Sequence, residues 1–403
     1  MSTEQLAIPE IIKKAKKLTY LEGIRGLAAF MVVIHHYLLA FYPAQASGDA
    51  TNTHFGSLEL WYYKSPFIFL TNGQLFVFVF FILSGYVLSK KFFLEKDMDY
   101  LVSASLRRFP RLYIPVAFTL IIAFILLKFS LNFNSEASNI TKSLWFASLH
   151  GKSSITHFLS CLFYRTMFIG DNTYNTVLWT ISQELFGSFL VFAALALTRN
   201  AKNSFIIYVL LFVLFVTAEK FEYCAFIFGI MLNYTDSFEI KKILHKRIVI
   251  VLLLLAGLFL GGFPHVYFIS TPTLNGTIYS FLNYSFIIKR DALLNATGAF
   301  LLILAVQQST KLQHIFSSRA LAFLGYISFA MYLIHVPVLQ SFSSFLFIKN
   351  MTIFSYNVSF LIGFILSLVL IFFASYIMTI YVDKKSLTAS QSIYKRFFSY
   401  KQS

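Results

Sequence analysis

Charged residues are scarce in this chain. They make up 12% of its 403 residues, against 58% that are hydrophobic, whereas soluble domains carry about 25% charge. So few polar side chains cannot coat a water-soluble globule of this size, which excludes a soluble enzyme. Cysteine is nearly absent. Cys161 and Cys224 lie far apart and resemble neither a disulfide framework nor a metal pair, so no metal is expected. The opening MSTEQLAIPEIIKKAKK has no apolar core. No cleavable signal peptide is therefore expected, and the first apolar span should remain in the protein. Internal repeats, low-complexity tracts and coiled-coil heptads are missing as well.

What the chain has instead is aromatics and long apolar runs. Its 49 Phe and 23 Tyr suit a lipid-facing surface with interfacial belts. Crossing about 30 Å of hydrocarbon takes roughly 20 helical residues. On that measure the sequence holds ten spans, at about 24–42, 66–88, 112–132, 176–198, 204–219, 221–235, 247–263, 292–309, 320–347 and 353–382. The fifth and sixth are short and meet at Glu219 and Lys220, as a re-entrant hairpin or as one interrupted helix. The expected fold is all-α and polytopic, with about ten transmembrane helices.

With the N-terminus inside, 24 of the 33 Lys and Arg fall on the inner side and eight on the outer. That asymmetry places both termini in the cytoplasm. The net charge of +16 then reads as a topology signal rather than a nucleic-acid footprint. A basic N-terminal segment (1–18), a membrane domain (19–383) and a basic tail (384–403) follow, in a multi-pass protein of the plasma or inner membrane. Outer segments 43–65, 133–175 and 264–291 are expected to form a rim for an acceptor. Asn139, Asn275 and Asn283 match the glycosylation pattern on that side, which chance often produces.

Ionisable side chains inside a span are costly and are candidates for function. Arg25 and His36 lie eleven residues apart in LEGIRGLAAFMVVIHHY, about three turns, so they share a face, with His36 roughly 16 Å deeper. His35 points about 100° away. Glu184, in NTVLWTISQELF, is expected at a similar depth, where a carboxylate can fix the tautomer of an imidazole that acts as general base. Arg107, Arg108 and Arg111 sit in RRFPRLYIP, expected at the cytoplasmic mouth of the third span, where guanidinium groups suit phosphate. His335 shares a face with Tyr332 just before Pro337 and reads as structural. So does Ser84-Gly85-Tyr86, whose glycine allows close helix approach.

These segments, with FVFFILSGYVLS and LGYISFAMYLIHVP, resemble in order the signatures of the acyltransferase 3 family of membrane O-acyltransferases, over about residues 18–382. The resemblance implies a ten-helix domain that uses acyl-CoA, commonly acetyl-CoA, to acylate a carbohydrate, lipid or secreted small molecule. It further implies that His36 is essential, that Arg25 and the Arg108–Arg111 pair serve the donor, and that Glu184 belongs to the site. Glu22 stands where the family often has Asp. The few residues after the last span imply a membrane domain without the appended extracellular hydrolase-like domain of some members. Delivery to the acceptor then finishes in the membrane domain or on a separate partner protein.

The expected mechanism docks the donor phosphates at the cytoplasmic arginines, with Tyr332 and Trp179 lining the crevice that leads to His36. His36, oriented by Glu184, deprotonates the hydroxyl, or a covalent acyl relay intervenes. The rival class is a proton-coupled transporter that uses His36, Glu184 and Arg25 as a relay. It would be favoured by inverted-repeat symmetry, which the sequence does not show.

Overall fold

In the computed structural model, which describes residues 7–236, 238–264, 274, 276–281 and 291–398, every described element is a helix. Eleven are used below: α1 (Ala7–Phe41), α2 (Gly73–Glu95), α3 (Met98–Lys128), α4 (Trp179–Thr198), α5 (Ser204–Thr217), α6 (Phe221–Met231), α7 (Arg247–Gly261), α8 (Asp291–Gln308), α9 (Arg319–Val338), α10 (Tyr356–Met378) and α11 (Lys384–Phe398). Among the described residues, seven helical stretches are long and apolar enough to cross a membrane. Three of the ten expected spans are instead the shorter helices α5, α6 and α7. Most of the outer segment 264–291, with Asn275 and Asn283, lies outside the described residues.

The fifth and sixth spans form a hairpin. Glu219 takes a left-handed turn at φ 54°, and α5 folds back on α6 through the ring pairs Phe212–Phe228 (4.7 Å) and Phe215–Tyr223 (5.4 Å). The two helices have different solvents. Cys224, Ala225, Phe226, Ile227 and Ile230 of α6 are fully buried, while Leu210, Val213 and Leu214 of α5 are exposed.

Pro110, Pro115 and Pro337 sit inside helices, and Pro110 precedes the start expected for the third span. Asp97 caps α3 by accepting from the Asp99 N–H at 2.9 Å, so α3 begins at Met98 and runs through Pro110 and Pro115. The arginine-rich turn thus lies inside α3 rather than at the start of the helix. Pro337 lies in the last turn of α9, which runs on through a π turn at Leu339–Ser343. Proline cannot donate to the carbonyl four residues back, and that carbonyl, Leu333 O, receives the Asn175 side-chain N–H at 2.8 Å. A foreign side chain thus replaces the lost backbone bond one turn from His335.

The site is positioned by two close crossings. α1 makes its most extensive contact with α9, and Gly26 and Gly325 face each other there. A Cβ on either would strike the other helix's backbone. At the second crossing, between α2 and α6, a Cβ on Gly85 would collide with the Phe226 carbonyl oxygen. The packing role read for Gly85 in the sequence matches this contact.

Gly85→Ala should therefore destabilise the protein by about 1–3 kcal/mol through overpacking. Gly363→Ala, whose new methyl would meet its nearest atom at 3.8 Å, should be near neutral. Thermal unfolding of both in detergent checks this; equal melting temperatures would contradict the crossing.

Candidate active site

The candidate residues gather in two centres. The first is a cavity of about 240 Å³ between α1, α2, α3, α4 and α9, and Arg25, Arg108, Arg111, Glu184 and Tyr332 all line it. The three predicted donor-side arginines thus share one chamber. None stands bare. Arg25 pairs with Glu22, Arg108 with Glu184, and Arg111 with Asp383.

These pairs have different weight. Arg25–Glu22 is half exposed, so it contributes little, and its stronger tie is Arg25 Nε to Ser328 Oγ of α9 at 3.1 Å. Arg108–Glu184 is largely buried and sits in a hydroxyl network. Ser84 Oγ donates to Glu184 Oε1 at 2.5 Å and accepts from Arg108 Nη2 at 3.1 Å, while Arg108 Nε donates to Ser188 Oγ at 2.7 Å. Arg111 also reaches Ser386 Oγ at 2.9 Å, which ties α3 to α11. A guanidinium has five N–H donors, so each arginine keeps capacity for a further anion.

The second centre is an imidazole pair. His36 Nδ1 lies 3.0 Å from Val32 O and 3.1 Å from Nε2 of His335, which is fully buried. His335 Nδ1 faces Met331 O at 3.1 Å. Carbonyls only accept, so His335 carries its proton on Nδ1, and with the ring neutral its Nε2 is an acceptor. His36 Nδ1 then faces two acceptors and must carry the His36 proton. This leaves a lone pair on His36 Nε2, the requirement for a general base. His36 remains partly exposed, and Trp145 stacks on it at 5.2 Å.

This corrects the expected pairing of His36 with Glu184. The reactive face of α1 looks at α9, whereas Glu184 looks at α2 and α3, so similar depth did not bring them together. Arg25 and His36 do share a face, since their partners Ser328 and His335 lie on one helix. His35 turns away and meets Thr71 O at 2.6 Å. Tyr332 lines the cavity; Trp179 does not. Sequence reasoning missed Asp383 and Trp145 and took Ser84 and His335 for packing residues. For His335 a signal existed: it lies seven residues after Ser328, two turns along the same face.

A third polar group lies beside α3. His157, Cys161 and Asp171 bring their ligand-type atoms within 4.8 Å of one another. Asp171 is already satisfied by Arg165 Nε at 2.7 Å and by Thr173 N–H and Oγ at 3.0 and 2.7 Å. Burial opposes its charge, but the Thr173 and Arg165 donors outweigh burial and hold the carboxyl down at about 2. Burial, with Asp171 nearby, pushes the Cys161 thiol up to about 11, so it stays protonated and is no nucleophile. The group pins the return of the chain from Phe168 to Tyr174.

The profile of the acyltransferase 3 family, described as an acyltransferase domain, matches residues 18–379. The chain belongs to this family. It is similar to the O-acetyltransferase PaAT-1 of Phomopsis amygdali, with 24% identity over 376 residues that cover 80% of this chain and 72% of that protein. No solved structure matches it. As a member of the acyltransferase 3 family, with its apolar helices, it is a multi-pass membrane O-acyltransferase that transfers groups other than amino-acyl groups.

Removing Glu184 would leave Arg108 charged and unpaired in this acyltransferase. Glu184→Ala should cost about 3–5 kcal/mol, read as thermal unfolding in detergent; wild-type stability would contradict the pair. Asp171 gives a pH test. Its carboxyl is depressed in the folded state, so its stabilisation is present above the unfolded value of about 3.9 and is lost as pH falls through about 2. Pepsin cleavage within 155–175 should rise over that window in the wild type and be high throughout in Asp171→Asn. Identical profiles would refute it.

Proposed function

We propose that this membrane O-acyltransferase takes its acyl group from acyl-CoA, with acetyl the expected group, and transfers it to a hydroxyl of a carbohydrate, lipid or secreted small molecule. The observation that carries the reading is the His36–His335 hydrogen bond, which leaves His36 Nε2 free to accept a proton. His36 Nε2 takes the proton of the acceptor hydroxyl as its oxygen attacks the thioester carbonyl. The acyl–sulfur bond breaks, the acyl–oxygen bond forms, and the proton passes to the departing thiolate. His335 is a positioning residue in this scheme.

The donor end is the chamber of Arg25, Arg108 and Arg111. Their spare donors suit phosphate oxygens, and Glu184 keeps Arg108 in place rather than acting on His36. The predominance of Lys and Arg on one side of the chain supports a cytoplasmic donor side with both termini there. The plasma or inner membrane fits that orientation. The similar protein's name, an O-acetyltransferase, supports acetyl as the transferred group. The acceptor approaches from the opposite end, where Trp145 of the outer segment covers His36. A separate protein that presents the acceptor is compatible with that approach.

Purified protein with radiolabelled acetyl-CoA and glycans or lipids extracted from its source should consume thioester in an acceptor-dependent way. His36→Ala should lower that rate by about 10²–10⁴-fold while leaving thermal unfolding unchanged. Solute movement without thioester loss would instead indicate a transporter.

A further inference from the structure

Phe80, Thr180 and Tyr332 line the donor chamber, whereas neither His36 nor His335 is among the residues of its wall. Tyr332 touches both centres: it lines the chamber, and its ring lies 6.0 Å from the His335 ring. Two contacts hold it there. The Thr180 and Tyr332 hydroxyls hydrogen-bond at 3.0 Å, and Phe80 packs edge-on against the Tyr332 ring at 5.5 Å. A thioester seated among the arginines thus meets this aromatic pair in the chamber wall, while His36 is outside that wall.

We propose that Phe80 and Tyr332 form the gate between the donor chamber and His36, and that their bulk sets the size of acyl group that passes; this rests on the acyl-CoA reading above. Tyr332 is 7% exposed, and among the described residues its hydroxyl makes one side-chain hydrogen bond, to the Thr180 hydroxyl. Phe80 has no polar anchor and is only partly buried. It is the residue whose removal widens the passage without disturbing the arginine pairs or the histidines. An acetyl group needs the smallest opening. Each further methylene must fit between two rings, where one methylene changes discrimination by about 10–200-fold in a tight apolar site.

A test independent of the acceptor uses the full-length protein carrying His36→Cys, in which both native cysteines are buried. It is treated with bromoacetyl-CoA or α-bromohexanoyl-CoA, and alkylation at position 36 is followed by mass spectrometry, each rate normalised to that with glutathione. With Phe80 intact, bromoacetyl-CoA should label at least about tenfold faster than the hexanoyl analogue. Adding Phe80→Ala should bring the two within about threefold, and Thr180→Val should speed both. Bromoacetamide, which needs no gate, should label all backgrounds alike and so reports a folded, reactive site. An unchanged ratio in Phe80→Ala, with excess CoA still protecting, overturns the gate alone. Labelling that excess CoA fails to slow overturns the donor reading and the gate with it.

Discussion

The site depends on the seam between α1 and α9. Two glycines, Gly26 and Gly325, let the backbones approach until no Cβ fits between them. Along that seam, two α1 side chains each meet one α9 side chain. Arg25 reaches Ser328 toward the donor end, and His36 reaches His335 toward the other. The seam therefore fixes both the axis along which a donor would lie and the tautomer of the imidazole at its far end. Away from such crossings, helices leave apolar faces exposed, as α5 does.

The chemistry splits into an electrostatic part and a proton-transfer part, and each is internally complete. The chamber holds three arginines against Glu22, Glu184 and Asp383, so it is neither a bare cationic trap nor a neutral cleft. Buried ion pairs seldom add net stability, because desolvation offsets the attraction. The Arg108–Glu184 pair is better understood as fixing a guanidinium in a dry wall with its remaining donors aimed inward. The histidine pair is built without any carboxylate. A second imidazole, itself anchored on a backbone carbonyl, does the orienting that a carboxylate does in many hydrolytic sites. In the proposed gate, Phe80 and Tyr332 would shield His36 from the arginine chamber until the rings move.

Much of this was legible in the sequence, for stated physical reasons. The eleven-residue spacing of Arg25 and His36 implied a shared face because helix geometry is fixed by the backbone alone. Arg108, Arg111 and Glu184 stood out because charge in an apolar span is expensive. Pairings were not legible. Asp383 lies 272 residues from Arg111 and His335 lies 299 from His36, and only the packing of helices selects such partners. Equal depth suggested Glu184 for His36, but depth says nothing about azimuth, and the two residues look in different directions. The start of the third span was missed because Asp97 caps α3 well before Pro110, whereas the ninth was rightly read through Pro337, where Asn175 takes up the freed carbonyl.

The central claim is that His36 carries its proton on Nδ1, facing Val32 O and His335 Nε2, and so leaves Nε2 bare. Nitrogen-15 NMR of histidine-labelled protein reads this directly, with His36→Gln identifying the signal. The account predicts a protonated Nδ1 and an unprotonated Nε2 for His36 in the wild type. A His36 that carries its proton on Nε2 would contradict it.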